Sequence, residues 1–223
     1  MDGSFFSDSA VLTNGPELWN GFLLTLQFSV IGMIGSIVVG IVGASILALH
    51  VPVLRQITYA YVEFIRGTPL LVQIFFLFFA LPELGVTLDG YAVACLSLII
   101  WGGAYNVENF RAGFSSVDGK YHEGAAALGF SDLGSFANIA LPIGVRLALP
   151  GLTNTLISVL KNSGLMLGIG VMELTATTQK IAAETFRVIE LFIFLGVVYL
   201  VVVLILSRGL RLVSQKFALK AGV

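Results

Sequence analysis

The residues able to do chemistry in this 223-residue chain are few and lie within long apolar runs. Acid and base recur three apart, as Glu63 with Arg66 and Glu108 with Arg111, a spacing that puts both charges on one helical face where they neutralise each other. A third polar stretch contains Lys161, Asn162 and Ser163 and closes at Glu173, while Gln73 stands apart. Such groups suit holding a small polar ligand: Lys161 faces an anionic group, Asn162, Ser163 and freed backbone groups complete it, Glu173 receives a cationic one, and Gln73 adds a polar contact. A structural alternative stands beside each assignment. The pairs can be interfacial ion pairs, Lys161 can snorkel, and Glu173 can sit in an outer loop. His50 and His122 are far apart and Cys95 is alone, so neither a metal site nor an intrachain disulfide framework is expected. No Gly-x-x-x-x-Gly-Lys-Ser/Thr phosphate loop occurs, so nucleotide hydrolysis is not expected on this chain.

The elements that position these groups follow from composition. Hydrophobic residues make up 57% of the chain and charged residues 11%, against roughly 25% charged in a soluble domain. With 12 basic and 13 acidic side chains the net charge is -1, which leaves no nucleic-acid footprint. Five apolar runs, at about residues 20–49, 56–81, 88–113, 143–165 and 187–207, are long enough to cross a bilayer. Lipid forces backbone groups to pair internally, so the expected fold is an all-α membrane bundle of about five helices. The acidic start, Met1-Asp2-Gly3, lacks the basic region of a cleaved leader, and the whole chain is expected to be mature. Lys and Arg gather after helix one (Arg55), after helix three (Arg111, Lys120, Arg146) and in the tail, which predicts an external N-terminus and a cytoplasmic C-terminus. Lys180 and Arg187 weaken this count without reversing it.

Helix two carries Pro69, which cannot donate its backbone hydrogen bond, and is expected to kink there, with Gly67 admitting a neighbouring helix. Asn162, Ser163 and Gly164 predict the end of helix four. Between helices three and four, an alanine run breaks at Gly129, resumes at Asp132 and is expected to stop at Pro142. Two short helices there form a rigid knob on the membrane face.

The knob resembles the EAA motif of ATP-binding-cassette (ABC) importer permeases. Glu123, Ala125, Gly129, Ile139, Leu141 and Pro142 match at the motif's spacing, with Gly124 where the family has alanine. Phe64-Ile-Arg-Gly-Thr-Pro-Leu-Leu-Val-Gln73, Ala104-Tyr-x-x-Glu-x-x-Arg111, Ile181-Ala-Ala-Glu-Thr-Phe-Arg187, and Gly21 with Thr25 and Leu26 are similar to the polar amino-acid (histidine, glutamine, glutamate, arginine) permeases. Lys161-Asn-Ser-Gly-Leu165 departs from that subfamily's usual Lys-Asp/Gly-Thr/Ser-Ser-Leu.

The resemblance implies a multi-pass permease subunit in a bacterial cytoplasmic (inner) membrane. An external segment 1–19 would precede a transmembrane domain 20–213 containing a coupling loop at about 115–142, and a cytoplasmic tail 214–223 would follow. It further implies a second permease subunit, identical or paralogous, two ATPase subunits docked on the knobs through Glu123, Gly124, Ala125, Gly129, Ile139, Leu141 and Pro142, and an extracytoplasmic binding protein that delivers a polar amino acid. ATP and Mg would act on the partner ATPase, with no cofactor on this chain and no nucleic acid involved. The alternative is an ion-coupled secondary transporter using Glu63, Glu108 or Glu173, against which the lack of an internal repeat argues.

Overall fold

The structure, a computed structural model, describes residues 9–217. A short helix α1 (Ala10–Thr13), capped by Ser9, leads into the first spanning helix α2 (Gly15–Ala48), which starts five residues before the apolar run suggested. The second segment is α3 (Leu54–Gly67) followed by α4 (Leu70–Phe75), and α4 runs through a π turn (Phe76–Ala80) and a 3-10 turn (Leu81–Leu84). Then come α5 (Gly90–Ser115), the knob helices α6 (Gly119–Ala127) and α7 (Asp132–Ser135), and α8 (Leu141–Asn162). A 3-10 stretch (Ser163–Ile169), α9 (Leu174–Thr185) and α10 (Val188–Phe217) complete the described chain. The all-helical expectation holds, and the apolar segments follow the five predicted runs. Residues 1–8 of the proposed external segment and 218–223 of the tail lie outside the described residues.

The bundle is organised on α2 and α5, which form its most extensive helix pair. Along α2 the buried positions Gly21, Thr25, Phe28, Gly32, Ser36, Gly40, Gly43 and Leu47 repeat at three or four residues, nearly all small, and trace one stripe. A Cβ on Gly40 would stand 2.5 Å from Cβ of Asn106, and one on Gly32 would stand 2.8 Å from Cβ of Leu98. From α5 the relation is reciprocal, because a Cβ on Gly102 would stand 2.8 Å from Cβ of Ser36. Apolar residues of α4, α5, α8 and the 3-10 stretch, among them Ile74, Leu98, Val159 and Met166, close around Phe28. The last helix, α10, buries only Leu191 and Leu195 and presents its remaining face outward, as a lipid-facing helix should.

Three local expectations are corrected. Helix two is broken rather than kinked: α3 and the segment Leu70–Leu84 meet at 107°. Thr68 is extended (φ -119°, ψ 143°), because a residue preceding proline is pushed out of the helical region, and Pro69 lacks the N–H that would bridge the gap. Gly67 is not a contact glycine, since a Cβ there meets nothing of this chain within 4 Å. Pro142 does not stop the knob's second helix, because residues Asp132–Ile169 run on as one helical span. A π turn (Phe136–Ala140), closed by Leu141 N–H donating to Phe136 O, widens the helix immediately before the proline ring. The expected end of helix four is met, since α8 stops at Asn162, and the chain then tightens into the 3-10 stretch and ends at Gly170 (φ 75°).

The α2–α5 seam gives a direct test. Gly40→Ala should destabilise the purified protein by about 1–3 kcal/mol, the usual cost of forcing atoms into a close-packed contact. Gly67→Ala, opening onto free space, should leave it unchanged or slightly more stable. Thermal unfolding in detergent measures both, and equal midpoints would show that the seam is not limiting.

Candidate functional site

The knob is built on the ends of α5 and α8. Asp118 caps α6, accepting from Lys120 N–H at 3.0 Å, and that hydrogen bond, with the Lys120 ammonium at 3.1 Å, holds its carboxyl below the usual carboxylate range. At the other end of α6, Gly129 adopts φ 81°; its N–H donates to Ala126 O, and that of Phe130 donates to Ala125 O. This pair of bonds around a left-handed residue is the Schellman turn, and it fixes the angle at which the chain leaves α6. Ser131, missed in the sequence, then caps α7 by accepting from Gly134 N–H at 3.2 Å, with Asp132 in the first turn. Phe136 stacks edge-on against Phe114 of α5 at 5.3 Å, and Ala125 and Ala140 are buried beneath the knob.

Of the knob residues expected at the ATPase, Glu123, Gly124, Gly129 and Pro142 are exposed, Ile139 and Leu141 are half-buried, and Ala125 faces inward. Leu128 is 80% and Leu133 62% exposed, so the turn carries an apolar tip that sequence reading did not single out. A Cβ on Gly124 would meet nothing within 4 Å, so the departure from alanine there has no packing cause within this chain.

The ion pairs are rearranged relative to expectation. Glu108 and Arg111 do pair, with Nε to Oε1 at 3.1 Å and Nη2 to Oε2 at 2.7 Å. Arg66 does not pair with Glu63. Its Nη1 lies 3.8 Å from Glu108 Oε2 and its guanidinium lies 5.2 Å from the Tyr105 ring, so the end of α3 is tied to α5. Among the described residues Glu63 forms no salt bridge. It lines a cleft of about 450 Å³ with Tyr59, Arg66, Tyr105 and Glu108.

The residues expected to hold substrate differ in exposure and in partners. Lys161 is exposed on α8 and forms no salt bridge among the described residues. Asn162 is half-buried, and Ser163 is buried with its hydroxyl donating to Leu160 O at 2.7 Å. Glu173, fully buried, caps α9 by accepting from Ala176 N–H at 2.8 Å and also accepts from Thr25 Oγ1 at 3.1 Å. Thr25 Oγ1 in turn accepts from Leu174 N–H at 3.1 Å. Neither an outer loop nor an open site describes Glu173, because its oxygens are spent locking α9 to α2. The Gly21 and Thr25 pattern belongs to the same lock, since a Cβ on Gly21 would stand 2.8 Å from Thr177 Oγ1. Tyr199 of α10 joins it through Thr175, 3.1 Å between hydroxyls.

Gln73 spans the break in helix two. Its amide nitrogen donates to Ile65 O at 2.9 Å and to Thr68 Oγ1 at 2.8 Å, which occupies carbonyl and hydroxyl groups that the interrupted helix leaves open. Its Oε1 is buried without a partner, beside an apolar cleft of about 260 Å³ lined by Phe64, Val72 and Phe76. A second polar chain went unread: Asn106 donates to Ser36 Oγ at 3.1 Å, and Asn109 donates to Asn106 Oδ1 at 3.1 Å and Thr155 Oγ1 at 2.9 Å. It links α2, α5 and α8, and its only sequence trace is the three-residue spacing of the two asparagines. No cluster of His, Cys, Asp or Glu able to hold a metal occurs among the described residues.

Multiple membrane-length helices, a broken second segment and a helical knob projecting from one end define a multi-pass membrane permease component. The chain belongs to the family of binding-protein-dependent transport system inner membrane components, whose family model matches residues 16–219. It is 33% identical over 213 residues to the glutamine transport system permease protein GlnP of Escherichia coli (strain K12), covering 95% of this chain and 97% of that one. It is likewise 33% identical over 187 residues to the probable amino-acid ABC transporter permease protein PatM of Vibrio harveyi, covering 82% and 84%. Among solved structures, a chain of the crystal structure of an amino acid ABC transporter with histidines superposes with a TM-score of 0.85 at 28% identity, covering 97% of this chain and all of that one. A chain of the inward-facing MetNI methionine ABC transporter shares the fold, with a TM-score of 0.76 at 15% identity over 98% of this chain and all of that one.

The Glu173 lock predicts a stability effect that a substrate contact would not produce. Thr25→Val removes a buried donor and acceptor and should cost about 1–3 kcal/mol in thermal unfolding without substrate present. An unchanged midpoint would return Glu173 to the list of groups free to meet a ligand.

Proposed function

We propose that this chain is the membrane-spanning permease subunit of an ABC importer for polar L-amino acids in a bacterial inner membrane. The observation that carries this reading is the exposed, Schellman-capped knob of α6 and α7, anchored on α5 through Phe114 and Phe136 and continuous with α8. A partner ATPase would grip its apolar tip and Glu123, and ATP and Mg would act on that partner. Closure of the ATPase pair would then move α8 directly, because no flexible linker separates the knob from that span. The amino-acid class is supported by the relatives' names and by the shared permease family, which also speak against an ion-coupled transporter.

The distribution of Lys and Arg supports an arrangement with the knob and C-terminus in the cytoplasm and α9 outside, where a binding protein would deliver substrate. Two permease subunits, identical or paralogous, would enclose the pathway. The outward exposure of Lys161 keeps it as a contact for the substrate carboxylate, with Asn162 beside it, and the partnerless Oε1 of Gln73 can accept one hydrogen bond. The geometry supports Glu63, Arg66 and Glu108 as the charged wall of a cleft and Arg66 to Glu108 as a tie that can open as α3 moves.

Reconstitution with the ATPase and binding protein tests this. ATP-dependent uptake of an amino acid is expected, and gradient-driven uptake by this chain alone would overturn the reading. Gly129→Val places a β-branched residue at a left-handed φ, straining the turn by about 1–2 kcal/mol, and should lower coupled transport at least tenfold while membrane insertion persists. Lys161→Met should lower substrate-dependent uptake with basal ATP hydrolysis retained. Normal uptake in Gly129→Val would remove the knob from the coupling path.

A further inference from the structure

A cavity of about 700 Å³ lies at the knob end of the bundle, bordered by four elements: the end of α2, the first turns of α3, the last turns of α5 and the knob. Both histidines of the chain reach it, His50 from the α2–α3 connection and His122 from α6, and so do Arg55 and Arg111. Residues remote in sequence therefore bring four basic side chains to one chamber, and Asp132 is the single acid on its lining. The rest of the lining includes Leu47, Phe114 and Phe136, so the chamber is basic and apolar at once.

The donors are only partly spent. Arg111 gives Nε and Nη2 to Glu108 and keeps its other nitrogen free of that bond. The Arg55 guanidinium lies 5.6 Å from the Tyr59 ring and meets no carboxylate among the described residues. His50 Nδ1 lies 2.9 Å from Ala48 O, and because a carbonyl only accepts, Nδ1 carries the proton and Nε2 of the neutral ring is an acceptor. The connection that presents His50 is strained, with φ 54° at His50 and φ 64° at the β-branched Val53. His122 Nδ1 is 3.3 Å from Ser135 Oγ, so the same chamber includes the hydrogen bond that joins α6 to α7.

We propose that this chamber binds a phosphate-bearing anion. Arg55 and Arg111 supply the charge-assisted bonds, His50 and His122 stand at its flanks, and the site bridges the knob to the ends of three spanning segments. Phosphate is the chemistry that planar guanidinium groups on two helices lining one cavity recognise, and basic pockets between membrane helices take the headgroups of anionic lipids. The phosphate can arrive on such a lipid, with acyl carbons along Leu47 and Phe114, or as a free anion. Occupancy would tie the knob to α3 and α5 and so affect coupling.

The test uses the permease assembled with its ATPase in a neutral detergent, followed by native mass spectrometry. Phosphatidylglycerol, phosphatidylcholine and inorganic phosphate are titrated separately. Wild type should retain phosphatidylglycerol over phosphatidylcholine, and Arg55→Gln with His50→Gln should weaken that retention about fivefold or more, with Arg55→Lys restoring part of it. Binding of inorganic phosphate that is lost in the same variant, without preference between the lipids, assigns the site to a free anion. Equal retention of both lipids with no phosphate binding overturns the inference, as does a double variant that binds like wild type. Hydrogen exchange on the wild-type assembly needs no variant: phosphatidylglycerol or phosphate should slow exchange across residues 47–55 and 119–136, and no slowing by either overturns the proposal. Uptake is not read in these experiments, so their failure leaves the transport reading standing, and failed uptake leaves the anion site untouched.

Discussion

Everything in this bundle depends on how closely α2 and α5 approach. In lipid there is no gain from hiding one apolar side chain against another, so helices hold together through dispersion over short distances and through the few polar groups that meet between them. Gly32 and Gly40 from one side and Gly102 from the other let the backbones close until no added methyl fits. That approach sets where Phe110 and Phe114 stand, and Phe114 in turn sets where Phe136 and the knob stand. The same contact brings Ser36 within reach of Asn106, so the polar chain to Thr155 of α8 exists because the seam is tight.

The two ends of the molecule are built on opposite principles. At the end bearing α9, polar groups are consumed internally: Glu173, Thr25, Thr175 and Tyr199 satisfy one another and a helix terminus, leaving the short helix pinned to two long ones. At the knob end, charged and aromatic groups surround open space instead, and the leucines of the α6–α7 turn are left exposed among the described residues. The first end resists rearrangement, while the second is furnished for contact with something else.

Most of the architecture was legible because its signals are local. Apolar runs of bilayer length located the spans, the Glu108 and Arg111 spacing gave their pair, and the alanine run with Gly129 gave the knob and its turn. What could not be read depends on the third dimension. Arg66 is equally spaced to choose Glu63, but the break at Thr68 orients the end of α3 toward α5 and Glu108 wins. Glu173 is polar enough for a ligand site, yet its position as the residue before α9 makes it a cap, and only the packing of α2 reveals that Thr25 completes it. Proline was misread for a related reason. Ala80-Leu81-Pro82 and Ala140-Leu141-Pro142 each follow a π turn, whereas Ala148-Leu149-Pro150 sits inside regular α-helix, so one tripeptide has two local outcomes.

The unbroken passage from Asp132 to Ile169 makes that segment a beam, and Gly144 gives it a bearing, because a Cβ there would run into the backbone of Phe114 at the end of α5. About 12 residues lie on the knob side of this point and about 25 on the other, or roughly 18 Å and 38 Å of helix. A push at Asp132 would therefore be carried along the span past that bearing rather than absorbed at a hinge.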